Sequence, residues 1–460
     1  MSRPASINRA HAYFDSKTFH ADLARRVAIP TESQNPDRAR ELAAYLTTEL
    51  TPSLEVLGFT CRVFDNPKKG GPFLIATRIE AADLPTVMSY GHGDVIRGLD
   101  AQWRAGLAPW TLIEEGEKLF GRGTADNKGQ HTINIGALKS VLEARGKLGF
   151  NIKLLIETGE ETGSPGLNEF CAAHREELRA DVFIASDGPR VAPARPTIFL
   201  GSRGVMNFDL TVDLRPGAHH SGNWGGLIAD PGILLAHAVA TITDRNGAIA
   251  VPEWRPAPIA ASVKKALADC APGGGDDAPQ IDIDWGEPGL TPAERVFGWS
   301  SFSVLAMKVG NPDSPVNAIA GRAWARCQLR FVVGIDPDDV VPALQRHLLA
   351  EGYPQVSVTP SREEPMRATR LDPDSKWVRW AVASIERTTG SRPAILPNLG
   401  GSLPNEVFAD TLGLPTIWIP HSYSACSQHA PNEHLLGSIA REGLGIMAGI
   451  FWDLGEEARS

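Results

Sequence analysis

Cysteine is scarce. Cys61, Cys171, Cys270, Cys327 and Cys426 are scattered and odd in number, and no two are spaced as CxxC. That excludes a disulfide framework and a thiolate-based zinc module, and it fits free thiols in a reducing, cytoplasmic setting. Long apolar runs are missing too: nothing approaches the roughly 20 consecutive apolar residues that span a bilayer. The N-terminal MSRPASINRAHAYFDS lacks the apolar stretch of a secretory signal. No basic stripe is present and the formal net charge is -9, so neither a nucleic acid nor a membrane is expected as a partner. Internal repeats and long low-complexity tracts are also absent.

What is present is a globular composition in a chain of 460 residues. The commonest domain size is about 100–150 residues, so two domains are expected. Phe19–Leu57 has a helical pattern. Short apolar runs then alternate with helical stretches. Pro72–Ile79, Thr86–His92, Asn151–Glu161 and Asp181–Asp187 read as buried strands, and His131–Ala144 and Leu167–Leu178 as helices between them. This alternation predicts an α/β fold with a mostly parallel sheet and helices on both faces.

The texture changes after Gly201–Gly204. Val205–Leu214, Phe302–Val309, Ala323–Gly334 and Val356–Ser361 read as strands, and Ala229–Ile242 and Asp336–Gly352 as helices. The order βα, ββ, αβ predicts an inserted ferredoxin-like α+β unit. Residues 245–300, rich in Pro, Gly and Asp, read as an insertion within it. The α/β texture returns with a helix at Ser375–Gly390 and a strand at Leu414–His421. The expected division is a discontinuous domain of residues 1–203 and 369–460, interrupted by a second domain of residues 204–368.

Acidic and histidine residues cluster where strands end, which is where open α/β sheets place their sites. In YGHGDVI, His92 and Asp94 are two apart, so their side chains share a face and Asp94 can fix the ring of His92. In LFGRGTADNKGQ, Asp126 follows two glycines just before a helix. It is either a helix N-cap or a carboxylate placed to bridge two cations. This is no phosphate loop, because Lys128 precedes Gly129 instead of Ser or Thr. In ETGEETGS, Glu160 and Glu161 close an apolar strand, and such close like charges are costly without a cation nearby. One would bind metal and the other act as base. Asp187 ends the next strand, in a site that also suits an Asx-turn. His429 lies in SQHAPNEHL with Glu433 and His434, and the spacing fits neither HExxH nor HxxEH. Together these residues form a mixed nitrogen and oxygen donor set without cysteine, suited to Zn, Mn or Co.

In order, YGHGD, GRGTADNKG, ETGEETGS, SDGP, GGSLP and HAPNE resemble the M20 family of metallopeptidases, from about Arg25 to Gly449. That family includes carboxypeptidase, carnosinase-like dipeptidase and deacetylase groups. The resemblance implies two divalent ions per subunit, zinc first. His92, Asp126 and Asp187 would hold one ion. Asp126, Glu161 and His429 would hold the other, with Asp126 bridging. Asp94 would orient His92, and Glu160 would be the general base. Two dications would be neutralised by Asp126, Asp187, Glu161 and a bridging hydroxide, which makes burial tolerable.

The resemblance further implies that the inserted unit is a lid and dimerisation domain. Its His220, next to His219, would reach the partner's site in a homodimer. Arg330 would bind a substrate carboxylate, Asn317 would contact substrate, and the Gly400–Pro404 loop would hold the terminal carboxylate through Gly401 and Ser402. The implied reaction is hydrolysis of an amide or peptide bond in a small carboxylate-bearing substrate such as a dipeptide. Removal of an acyl group from an N-acyl amino acid is the alternative, and a non-catalytic binding role on the same fold the distant one. The chain departs from relatives at Gly93, where a larger residue is common, at Ile96-Arg97, and in Asn317–Gly321, which lacks a proline common there.

Overall fold

The computed structural model describes residues 2–272, 279–361 and 366–457. Two helices, α1 (Arg3–Asp15) and α2 (Thr18–Val27), precede the first sheet. Its strands are β1 (Thr60–Phe64), β2 (Phe73–Arg78), β3 (Thr86–His92), β4 (Asn151–Glu157), β5 (Val182–Ala185) and β6 (Thr197–Phe199). A second set follows: β7 (Gly204–Asp213), β8 (Ser301–Val309), β9 (Arg322–Phe331) and β10 (Val356–Pro360). The chain then returns to the first sheet with β11 (Ala394–Leu396) and β12 (Thr416–Trp418).

The first sheet has eight strands in the order β1-β2-β4-β3-β5-β12-β6-β11. Its centre, β4-β3-β5-β12, is parallel, and β1 and β2 extend it antiparallel at one edge. The central strands are buried almost throughout, because helices cover both faces. Helix α3 (Lys128–Arg145) carries the chain between the parallel neighbours β3 and β4, and it stops at Gly146, whose φ of 79° is the left-handed form that closes helices. One face packs Leu74, Val87, Ile152, Ile184 and Ile417 beneath α1, α3 and the C-terminal helix. The other packs Tyr90, Phe183, Phe199 and Trp418.

The second sheet is antiparallel in the order β8-β9-β7-β10, the arrangement of a ferredoxin-like unit. Helices α4 (Pro231–Ile242) and α5 (Val340–Ala350) cover one face and enclose a core of their own around Phe208, Leu210, Leu235 and Leu344. Asp230 caps α4 by accepting from the N–H groups of Gly232 and Ile233, with Pro231 in the first turn. Of the 245–300 segment, residues 273–278 lie outside the described residues. Val263, Leu267, Ala293 and Phe297 of this segment pack with Leu396, Leu399 and Trp418 of the first sheet's core. The segment therefore covers the large sheet as well as leaving the small one.

Two helical expectations change. The Phe19–Leu57 stretch is broken after Val27 and resumes at Pro36, because Pro30 and Pro36 prevent a continuous ladder. Leu167–Leu178 splits at His174 into two short helices. Two further helices complete the chain. α6 (Lys376–Thr389) lies within its expected range, between a Ser375 cap and Gly390. α7 (Gly437–Glu457) had no counterpart in the sequence reading. Among the described residues no helix is long and apolar enough to cross a membrane.

Candidate metal centre

The parallel strands β3, β4 and β5 run side by side, so their carboxyl ends deliver His92, the Glu160–Glu161 turn and Asp187 to one rim. Asp126 enters from the loop before α3, and its peptide bond to Asn127 is cis. Asn127 donates to the backbone oxygen of Ser186 at 2.8 Å, tying that loop to the end of β5.

The side chains converge as two triads that share Asp126. His92, Asp126 and Asp187 form one, and Asp126, Glu161 and His429 the other, with the ligand atoms of each within 4.8 Å of one another. His92 Nε2 lies 2.9 Å from Asp126 Oδ1 and 3.6 Å from Asp187 Oδ2. His429 Nε2 lies 3.0 Å from both Asp126 Oδ2 and Glu161 Oε2. Each oxygen of Asp126 thus faces a different imidazole. Asp187 Oδ2 is buried and has no hydrogen-bond partner, an arrangement expensive in an interior unless a cation completes it. Nitrogen and carboxylate oxygen donors in this proportion fit a pair of divalent ions of the zinc type.

The electrostatics say the same. Burial, reinforced by the charge of Asp126, raises the carboxyls of Glu161 and Asp187 above the usual range. Burial also raises Glu160 well above it. Burial opposes ionisation of Asp126, but hydrogen bonds with His429 and His92 overcome it and hold the group well down. The hydrogen bonds to Asp126 and Glu161 push His429 up to about 11. Four carboxyls gathered around two imidazoles call for positive charge, which a pair of dications held by these residues would supply.

Asp94 does more than the sequence suggested. His92 Nδ1 is 3.0 Å from the backbone oxygen of Asp94 and 3.4 Å from its carboxylate. The same carboxylate accepts the N–H groups of Glu160 and Glu161, each at 3.1 Å. It therefore sets the His92 ring and the glutamate turn together. The small residue at position 93 also has a structural reason: a Cβ there would stand 2.5 Å from the ring of Tyr45. Tyr45 in turn bonds His131, which bonds Asn127.

A cavity of about 450 Å³ opens over the centre, and Asp126, Glu160, Asp187, His429, Arg330, Gly401 and Ser402 all line it. Arg330 Nη1 donates to Ser402 Oγ at 3.1 Å. Neither Arg330 nor the buried Arg203 beside it pairs with a carboxylate among the described residues; burial lowers both, and Arg203 to about 9 with Arg330 as the second cause. His220 and Asn317 stand apart. His220 sits on a small two-stranded ribbon and Asn317 just before its second strand; both are exposed, and neither lines the cavity of its own chain.

Three contributors escaped the sequence reading. Gln428 donates to Asp126 Oδ2 beside His429. Arg203 donates to the backbone oxygen of Gly400 at 2.8 Å and so anchors the Gly400–Ser402 loop. Glu433 is 1% exposed and grips the loop that carries Asp126. Its carboxylate accepts from Arg122 at 2.8 Å and from the N–H groups of Gly123, Ala125 and Asp126 at 3.0, 2.9 and 3.1 Å. The HAPNE spacing was the available signal for Glu433. The other two carried none.

Comparison with known proteins agrees. A model described as peptidase family M20/M25/M40 matches residues 88–453. The cysteinylglycine-S-conjugate dipeptidase of Corynebacterium striatum is 26% identical over 347 residues, 72% of this chain and 72% of that protein. The beta-Ala-His dipeptidase of Mus musculus is 28% identical over 297 residues, 61% of this chain and 58% of that protein. In three dimensions the chain is similar to the dipeptidase Dug1p of Saccharomyces cerevisiae, with a TM-score of 0.79, 20% identity, and 99% of each chain covered. The chain belongs to peptidase family M20/M25/M40.

Proposed function

We propose that this protein is a two-cation hydrolase that cleaves the peptide bond of a dipeptide or similarly small substrate with a free carboxylate. The observation that carries the reading is the pair of ligand triads sharing Asp126, with Glu160 and an unpaired Arg330 lining the same cavity. The dipeptidases among the relatives support the substrate class.

His92, Asp126 and Asp187 would hold one ion, and Asp126, Glu161 and His429 the other, zinc fitting best and manganese or cobalt being acceptable to the same donors. When bound, the ions acidify water and polarise the scissile carbonyl. Glu160 takes the proton of the attacking water and returns it to the leaving amine. Arg330 offers a planar fork to the substrate carboxylate, and Ser402, with the Gly401 backbone, completes that grip. Asp94 keeps His92 and the Glu160 turn in register.

We also propose that two chains act together and that residues 204–368 form the lid through which they pair. Strand β8 is the edge of its sheet, and Val304, Leu305, Met307 and Val309 stand exposed along it. An apolar edge of this kind invites pairing with a second copy. His220 and Asn317 would then serve the partner's cavity, His220 as a donor to the developing oxyanion.

The test is Glu160→Gln. Turnover of a dipeptide panel, assayed beside N-acetyl amino acids with added zinc or manganese, should be abolished while bound metal is retained. Unchanged turnover removes Glu160 as the base. Cleavage of the N-acetyl compounds alone replaces the dipeptidase reading with a deacylase one.

A further inference from the structure

Beside the hydrolytic cavity lies a second, larger one of about 730 Å³. Residues 279–300 build most of it. Ile281, Trp285, Val296, Trp299 and Phe302 provide apolar and aromatic walls. Pro272, Val296 and Ser424 line both cavities, so the two are neighbours across a shared wall. The catalytic reading makes no use of this space.

Three features show a space shaped for a ligand. Trp285 is 59% exposed and Ile281 43%, unusual for large apolar groups. Ser300, 5% exposed, lines the cavity with its hydroxyl buried and unpartnered, and the indole N–H of Trp299 is buried without a partner as well. Arg203 also lines it, while its Nε holds the Gly400 oxygen of the loop beside Arg330. Arg203 therefore reaches from the second cavity to the loop where the proposed function puts the substrate's carboxylate.

We propose that this second cavity is a specificity subsite for the side chain of the carboxyl-terminal residue of the substrate, and that it selects aromatic or long aliphatic groups. The inference rests on the hydrolase reading above for its orientation. With the carboxylate at Arg330 and Ser402, a side chain on the same residue leaves toward Arg203 and enters between Val296 and Ser424. The indoles of Trp285 and Trp299 and the ring of Phe302 then cover it.

The experiment compares Gly-Ala, Gly-Leu, Gly-Phe and Gly-Trp in the metal-loaded enzyme. Burial of a benzyl group instead of a methyl predicts a kcat/KM ratio, Gly-Phe over Gly-Ala, of roughly ten to a hundred. Trp285→Ala, an exposed position where folding is not at stake, should cut that ratio about tenfold, and Val296→Phe, which narrows the shared wall, should do the same. Binding is read separately in Glu160→Gln by tryptophan emission, which Gly-Phe should quench at lower concentration than Gly-Ala, and less so when Trp285 is replaced. A ratio within about twofold of unity, or one indifferent to both substitutions, overturns the subsite while leaving the hydrolase intact. No cleavage of any dipeptide, with Trp285-dependent binding of Gly-Phe retained, overturns the hydrolase and keeps the subsite.

Discussion

Replacement of Glu433 should loosen the metal centre without touching a ligand. The carboxylate and the guanidinium of Arg122 are each 1% exposed and 2.8 Å apart. Three backbone N–H groups, those of Gly123, Ala125 and Asp126, also end on the carboxylate. In Glu433→Ala the Arg122 charge stays buried without its partner, and breaking such a pair costs about 3–5 kcal/mol. Each stranded N–H adds about 1–3 kcal/mol before water or relaxation restores part of it. Against a typical total of about 5–15 kcal/mol, Glu433→Ala should be close to unfolding. Glu433→Gln keeps an acceptor oxygen and should lose about 3 kcal/mol. It should also weaken metal binding roughly 10- to 100-fold, because the loop that holds Asp126 is no longer fixed. The double change Arg122→Met with Glu433→Gln removes the stranded charge and should recover part of the stability. Urea unfolding of the metal-free proteins and competition with a chelator measure the two effects. If Glu433→Gln unfolds at the wild-type urea concentration and binds metal as tightly, the clamp has no such role.

Three further outcomes follow from single features. Arg330→Lys keeps the charge but loses the planar fork, so KM for a dipeptide should rise about tenfold with a smaller change in kcat; a larger loss in kcat than in affinity would contradict a carboxylate-binding role. His421 is fully buried with neither ring nitrogen partnered, and burial, then Arg190, hold its pKa well below the usual histidine value. The ring stays neutral in the fold and charges below about pH 6.5 when unfolded, so its share of stability is present above that pH and is lost at about 1.4 kcal/mol per unit below it. His421→Phe should flatten the fall in stability between pH 7 and 5.5, measured by urea unfolding, and an unchanged slope would count against it. Val304→Glu with Met307→Glu alters two exposed edge positions, so the fold should survive while sedimentation reports a monomer and turnover falls; a persistent dimer would place the interface elsewhere.

The residues proposed as ligands and base were legible because a buried parallel strand announces itself as an apolar run, and a polar residue at its end has one place to go. His92, Glu160, Glu161 and Asp187 share that logic, and the structure gathers them on one rim. The small second sheet was legible from its alternation, and its strand order followed from the βα, ββ, αβ sequence of elements. What escaped depends on partners far along the chain. Glu433 meets Gly123 across 310 residues, and Arg203 meets Gly400 across 197. Helix α7 was obscured by glycines that lower its propensity, yet a Cβ on Gly443 would strike the ring of His421 at 2.7 Å, and one on Gly445 that of His11 at 2.5 Å. Those glycines report close packing, which no local pattern encodes. The composition of 245–300 marked irregular chain but not the surface it covers, and its burial against Leu396 and Leu399 is visible only in three dimensions.

The claim on which all else depends is that five side chains from five separate stretches hold a pair of cations. Elemental analysis of the purified protein, dialysed against trace zinc and quantified per chain, tests it most directly. The account predicts about two ions per chain in the wild type, about two in Glu160→Gln, about one in His429→Ala, and none retained in Asp126→Ala. A wild-type protein that binds no ion, or an Asp126→Ala protein that still binds two, would contradict it.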